Sequence, residues 1–268
     1  MTIPYHYIVA GLPDIIFDEH KIERGLGAFI NELLDQIPPV DAHWLRYIGF
    51  PNDNRNLIAL LTNQKNPLVQ TGNFPEETLR AEIKNPDQVP EYMQVFIAAY
   101  QANSPLIQNL SWENQLNWLF YEEATAVENR FLREWFTFEL DLRNILAALN
   151  CRRAKESLET HLIGRNEVTD LLFKSSAPDF SLPARVPWAD ELLAIEFDHI
   201  PTSEDKLARF RLQQLEEMAE PELFNIETVM GVGIALSIAE RWSLLDDKTG
   251  AEMLQKIIQD LEQNVKAE

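Results

Sequence analysis

Apolar residues recur every three or four positions along most of this chain, which is the spacing of one face of an α-helix. The longest such stripe lies between residues 106 and 163, a stretch that contains neither Gly nor Pro. Its members follow one another at a mean step of about 3.7 residues and are Leu116, Phe120, Ala124, Val127, Phe131, Trp135, Phe138, Leu142, Ile145 and Leu149. The stripe predicts one long helix or two, with a break near Glu128 and Asn129 in the second case, and Ser111 as the N-terminal cap.

The remainder of the chain also favours helices, and alternating strand patterns are scarce. Helices are predicted over residues 18–36, from Asn52 or Asp53 onward, and over 90–102, 167–174, 188–197, 203–220, 222–245 and 250–265. A Ser- and Pro-rich segment at 175–187 is the candidate boundary or hinge. We therefore predict an all-α, multi-helical fold of roughly nine helices. We interpret the chain as one continuous helical protein with approximate units 1–104, 105–177 and 178–268.

One phrase of nine residues occurs twice. Residues 53–61 and 141–149 both read Asp-x-Arg-Asn, two aliphatic residues, Ala, an apolar residue and Leu. Self-similarity of this kind indicates a duplicated structural unit, so we predict a fold built from two related helical units. A third copy at the same interval would fall at residues 229–235, where only Ile234 and Ala235 keep step. A third, degenerate unit therefore stays open.

The repeated phrase has two possible roles. On a helix its Asp and Asn share a face, and the apolar residues that follow surround the helix, which is typical of a buried element. A buried carboxylate must be hydrogen-bonded, so the phrase could tie each helix to a neighbouring helix end or loop. The alternative is a catalytic carboxylate with an orienting Arg, but duplication favours the structural tie. The candidate residues are Asp53, Arg55, Asn56, Asp141, Arg143, Asn144 and Glu139, the last predicted to pair with Arg143.

Charge and composition restrict the classes of partner. The 268 residues are 46% hydrophobic, and 43 acidic residues against 23 basic ones give a net charge of −20. Such a chain is a poor ligand for nucleic acid or anionic lipid and suits protein partners. A single cysteine fits a reducing compartment. The start lacks the charged region of a signal peptide, and the uncharged stretch at 228–239 is too short to span a bilayer. We expect a cytoplasmic protein without direct membrane insertion.

Other signs of chemistry are weak. Glu196 and His199 form half of a di-iron carboxylate ligand set, but the pattern occurs once and Pro201 follows it. The Gly231-Val232-Gly233 run lacks the third glycine of a dinucleotide loop and favours close helix packing or a packing defect in a buried helix instead.

The lone cysteine, Cys151, has basic neighbours at Arg152 and Arg153 that could lower its pKa. No histidine base is obvious near it in the sequence, so a buried, inert thiol is favoured. We expect no enzymatic activity, no cofactor and no metal.

Part of the second phrase resembles a known signature. The run from Arg133 to Leu146 contains Glu139, Asp141 and Asn144 in the Glu-x-Asp-x-x-Asn-aliphatic spacing of the central-stalk subunit of rotary A/V-type ATPases. That subunit is called C in archaeal and d in vacuolar enzymes. The opening at residues 5–13 and the Asp-Asn-x-Asn-Leu element of the first phrase look like a shorter bacterial family encoded alongside V-type ATPases.

The resemblance implies an all-helical protein built from three related units, each with such a phrase. It also implies a non-enzymatic rotor socket that sits on the cytoplasmic face of the membrane rotor ring and receives the tip of the central shaft. The partners would be the shaft and ring subunits, and the protein would be peripheral at the inner face of the membrane. The alternatives are a ferritin-like helical metalloenzyme and a generic helical scaffold.

Overall fold

The computed structural model describes residues 5–13, 25–64, 72–197, 200–218 and 224–243. Within these ranges the protein contains eleven α-helices and no strand, which confirms the predicted all-α class. The helices are α1 (Tyr5–Ala10), α2 (Leu26–Leu34), α3 (Pro39–Leu61), α4 (Glu76–Lys84), α5 (Glu91–Gln101), α6 (Trp112–Ala124), α7 (Arg130–Ala154), α8 (Glu167–Lys174), α9 (Ala189–Leu193), α10 (Ile200–Met218) and α11 (Ile226–Ser243). Short 3₁₀ helices cover Leu158–Thr160 and Leu182–Ala184.

The predicted apolar stripe forms two helices, α6 and α7, and every member of it is buried except Leu149, which is half-buried. The helices separate where a break was predicted. Asn129 caps α7 by accepting a hydrogen bond from the Leu132 N–H at 3.0 Å. Ser111 caps α6 as predicted, accepting from the Asn114 N–H at 3.2 Å.

Helix α3 differs from the prediction. We expected a helix to begin at Asn52 or Asp53, but α3 begins at Pro39 and continues through Pro51 for 23 residues. A proline inside a helix removes one N–H donor, yet the helix persists where packing and other hydrogen bonds compensate. Here Leu45 and Ile48 bury the face that precedes the proline. Packing therefore overrides the local helix-breaking signal.

The other predictions agree to within a few residues where they can be compared. The predicted helix at 167–174 is found with the same bounds, and the one at 90–102 is α5. The predicted helix at 18–36 is described only from Leu26, because residues 14–24 lie outside the described ranges. The predicted helix at 250–265 lies wholly outside them. The segment at 175–187 packs into the core through three buried residues, Phe180, Leu182 and Val186.

Helix packing brings both ends of the described chain together. Helix α6 packs between the two long helices α3 and α7, and α11 packs against α1, α2, α3 and α10. A Cβ added at Gly233 of α11 would lie 3.0 Å from Ile48 Cδ1 and 3.1 Å from Phe29 Cε1, which confirms the predicted close packing at this glycine. The buried side chains form one hydrophobic cluster that extends from Ile8 to Ile238.

None of the helices in the described ranges combines the length and the apolar character that crossing a membrane requires.

Candidate functional site

The first copy of the repeated phrase ties helix α3 to the loop that leads into α4. Asp53 is fully buried, and its carboxylate accepts hydrogen bonds from the backbone N–H groups of Asn73 and Phe74, at 3.0 and 3.1 Å. It also accepts from the Asn73 side-chain amide at 2.7 Å. The same amide donates to the Arg46 carbonyl at 2.9 Å, so Asn73 contacts α3 on both sides of Pro51.

Two glycines leave the space that this tie occupies. A Cβ at Gly72 would collide with the Asp53 carboxylate, and a Cβ at Gly49 would lie 2.6–2.8 Å from the Asn73 amide group. Real Cβ atoms do not approach that closely, so a substitution at Gly72 would separate the loop from Asp53, and one at Gly49 would displace the Asn73 side chain. The glycines matter here because they lack a side chain.

The second copy ties helix α7 to the loop that leads into α8. Asn144 is fully buried; it donates to the Ile163 carbonyl at 2.8 Å and accepts from the Ile163 N–H at 3.1 Å. Asp141 accepts from the Asn166 side chain at 2.7 Å, and Asn166 caps α8 by accepting from the Thr169 N–H at 2.9 Å. The two phrases therefore occupy equivalent places, each on a long helix, and each bonds the loop before a short helix.

Both copies bond the loop backbone through the polar half of the phrase. In the first copy the Asp53 carboxylate accepts from loop N–H groups, and in the second the Asn144 amide both donates to the loop and accepts from it. Asn56, which corresponds to Asn144, is also buried. Gly164 directly follows the bonded Ile163 and adopts a left-handed φ of +70°, a conformation that favours glycine.

The predicted pair between Glu139 and Arg143 is wrong. Arg143 instead donates to Asn114 Oδ1 on α6 at 2.7 Å. Glu139 accepts two hydrogen bonds from Arg211 on α10, at 2.7 and 2.9 Å. A surface pair four residues apart gains only about 0.3–0.5 kcal/mol. Arg211 instead satisfies both carboxylate oxygens of Glu139 at this half-buried position, so the contact between α7 and α10 forms in place of the pair within α7.

Glu139 and Arg143 also line a groove of about 230 Å³ between α7, α10 and α11. Its walls combine the aliphatic side chains of these helices with the guanidinium groups of Arg143, Arg211 and Arg241. Arg241 lies 3.5 Å from Glu204, so each of these arginines contacts an acidic or polar partner on a neighbouring helix. The groove is therefore crossed by polar ties between helices.

Burial shifts the pKa values of several phrase residues. It raises the pKa of Asp53 and of Asp141 to about 6, although hydrogen bonds from the loops partly offset the effect. Partial desolvation and the nearby Arg241 lower the pKa of the Arg55 guanidinium. Arg55 is the phrase residue that most exposes its side chain.

The same kind of tie occurs at two positions that the sequence analysis did not single out. The buried Glu82 on α4 accepts from the N–H groups of Asp87 and Gln88 at 2.7 and 2.9 Å. The buried Gln115 on α6 accepts from the Leu106 and Ile107 N–H groups at 2.7 and 3.2 Å. In the sequence, each could have been recognised as a polar residue on the apolar face of a helix, which requires a hydrogen-bond partner.

The remaining candidates stand as follows. Asp198 and His199 of the di-iron-like pattern lie outside the described residues. Cys151 is buried, as the favoured interpretation predicts, and both burial and the nearby Glu156 raise the pKa of its thiol rather than lower it. Arg152 is held elsewhere, with its guanidinium 3.5 Å from the centroid of the Phe180 ring.

Replacing Gly72 with Ala tests the first tie. We expect Gly72→Ala to lower the free energy of unfolding by about 1–3 kcal/mol, because the added methyl group displaces the loop from Asp53. Gly231→Ala is the matched control, since its Cβ would lie 3.8 Å from Phe131 and the change favours the helix. Urea denaturation followed by circular dichroism measures both. Equal stability of Gly72→Ala and the unmodified protein would contradict the tie.

The raised pKa of Asp141 predicts that the stability of the protein depends on pH. Because its folded-state pKa of about 6 lies above the ordinary 3.8, the folded state binds more protons between these values. The free energy of unfolding therefore falls as pH rises from about 4 to about 6. Asp141→Asn removes this titration while its side-chain oxygen still accepts from Asn166.

We expect the variant to gain about 1–2 kcal/mol on the unmodified protein between pH 4.5 and pH 7. Asp170→Asn, at an exposed carboxylate, is the control. Parallel pH profiles for Asp141→Asn and the unmodified protein, from urea denaturation at each pH, would refute the prediction.

Comparison with known proteins assigns the chain to a family. The family described as "Protein of unknown function (DUF2764)" matches residues 1–265. An "Uncharacterized protein" of Chlamydia muridarum (strain MoPn / Nigg) is 22% identical over 190 residues, which cover 69% of this chain and 70% of the relative. No solved structure matches the chain. With nearly its whole length matched, the chain belongs to the DUF2764 family.

Proposed function

We propose that this protein is a non-enzymatic central-stalk subunit of a bacterial V/A-type ATPase, a rotor socket that links the central shaft to the membrane rotor ring. The observation that carries the proposal is the duplicated tie. The phrase that resembles the stalk-subunit signature fixes a long helix to its following loop at two equivalent places, through Asp53 in one and Asn144 in the other. Residues of this kind maintain the relative positions of helices and loops, and a socket requires such rigidity.

A socket that transmits torque must resist sliding of its helices. Apolar packing alone is non-directional, whereas a hydrogen bond between a buried side chain and a loop backbone fixes one register. The Glu139–Arg211 contact adds a directional tie between α7 and α10, and the Arg143–Asn114 contact adds one between α6 and α7. Force applied to one long helix would therefore pass to its neighbours without local slip.

The charge of the protein fits the proposed location. A net charge of −20 disfavours direct contact with anionic lipid and suits contact with the loops of ring and shaft proteins. In this proposal the protein is cytoplasmic and peripheral, held at the inner face of the membrane through the ATPase complex. It binds no nucleic acid and requires no cofactor.

Affinity purification from the native host tests the proposal. The tagged protein, produced at its natural level, is recovered from membranes solubilised in mild detergent, and its companions are identified by mass spectrometry. We expect the catalytic, shaft and ring subunits of a V/A-type ATPase in a fixed ratio to the bait.

A tagged acidic helical protein from the same cells is the control for non-specific recovery. If the shaft and ring subunits are no more abundant with the bait than with this control, the stalk role is wrong. A generic helical scaffold would then be the better account.

A further inference from the structure

Three side chains from residues 151–161 of the sequence meet at the end of helix α7. A ligand atom from each of Cys151, Glu156 and His161 lies within 4.8 Å of the other two. Cys151 is in the last turn of α7, Glu156 follows the end of the helix, and His161 follows the 3₁₀ helix Leu158–Thr160. The imidazole Nε2 of His161 lies 2.8 Å from a carboxylate oxygen of Glu156.

The backbone holds these residues in place from both sides. Lys155 adopts a left-handed conformation with φ of +58°, which turns the chain so that the Glu156 N–H donates to the Cys151 carbonyl at 2.9 Å. The His161 carbonyl accepts from Arg143 at 3.4 Å, and the neighbouring Thr160 carbonyl accepts from Asn114 at 3.1 Å. The three ligand groups are therefore positioned by contacts that need no ion.

The donor atoms select the class of ion. One sulfur, one imidazole nitrogen and one carboxylate oxygen are the ligands that Zn²⁺ takes in proteins, whereas Mg²⁺ and Ca²⁺ prefer oxygen alone. A thiolate and a carboxylate carry two negative charges, which balance the charge of one divalent cation. The basic neighbour Arg152 is bound to the carbonyls of Ala177 and Pro178, so it does not compete for the thiolate.

We propose that Cys151, Glu156 and His161 bind one Zn²⁺ ion, with water as the fourth ligand. Ligand atoms around tetrahedral zinc lie roughly 3–4 Å apart. The nitrogen of His161 and the carboxylate oxygen of Glu156 are already 2.8 Å apart, and the Cys151 sulfur lies no more than 4.8 Å from either ligand atom, so the site needs only small adjustments. Binding releases the thiol proton of Cys151 to solvent, and it replaces the contact between Glu156 and His161. The ion would fix the first part of the segment that follows α7, and Asn144 binds the same segment further along the chain, at Ile163. The proposal is independent of the stalk role.

Metal titration of the purified protein, after removal of bound metal with a chelator, tests the site. Co²⁺ is the spectroscopic probe, because thiolate ligation gives an intense charge-transfer absorption in the near ultraviolet. We expect this absorption to saturate at one Co²⁺ per chain and to disappear when Zn²⁺ is added. Zn²⁺ should also raise the melting temperature of the protein.

Variants identify the ligands. Cys151→Ser should abolish the charge-transfer absorption, and Glu156→Gln and His161→Gln should each weaken Zn²⁺ binding more than about tenfold. His43→Gln, at an exposed histidine on α3, is the matched control and should bind Zn²⁺ like the unmodified protein. Glu156 is exposed, so its variant retains the fold and keeps the test valid if the Cys151 variant is unstable. No thiolate absorption with Co²⁺, or equal Zn²⁺ affinity for His161→Gln and His43→Gln, would overturn the proposal.

Discussion

A polar side chain buried on an apolar helix requires hydrogen-bond partners, and four such side chains in the described part of this protein find them in backbone groups of a neighbouring loop. Asp53, Glu82, Gln115 and Asn144 all follow this rule. Leaving one such group unpaired would cost about 1–3 kcal/mol, so each residue selects one position for its loop. The loops then fix where the next helix starts. The arrangement of the short helices around α3 and α7 therefore depends on these contacts as well as on apolar packing.

The duplicated phrase is the clearest case of this constraint. Its apolar half places α3 and α7 in the core, and its polar half holds the loops before α4 and α8. A glycine lies next to a bonded residue in each loop. Glycine is required at position 72 because a side chain there would collide with Asp53, and it is favoured at position 164 because the backbone there is left-handed. A helix, a polar tie and a loop glycine thus form one unit. This unit is the part of the structure that the stalk proposal depends on.

The sequence predicted what depends on local periodicity. The stripe through α6 and α7, the break before Asn129 and the capped start at Ser111 all follow from spacing and capping chemistry. The predictions were wrong where contacts between residues distant in sequence determine the helix bounds or the ion-pair partner. Packing carries α3 through Pro51, and Arg211, which is remote in sequence, takes Glu139 away from Arg143.

The ties themselves were foreseeable as a class but not in their partners. A buried Asp requires donors, yet the sequence does not indicate that Asn73 and Phe74 supply them. The meeting of Cys151 with His161 depends on the left-handed turn at Lys155 and the short 3₁₀ helix after it. Hydrophobic periodicity does not predict such a turn, so the proximity of these residues is visible only in the folded structure.

Amide hydrogen exchange tests most directly the claim that buried polar side chains hold the loops. The N–H groups of Asn73, Phe74 and Ile163 lie in loops but should exchange slowly, like those of the helices they contact. In Asp53→Asn the amides at 73 and 74 should exchange about tenfold faster or more, while the amide at 163 keeps its protection and reports that the fold is intact. Fast exchange of all three amides in the unmodified protein, or no change at 73 and 74 in the variant, would contradict the account.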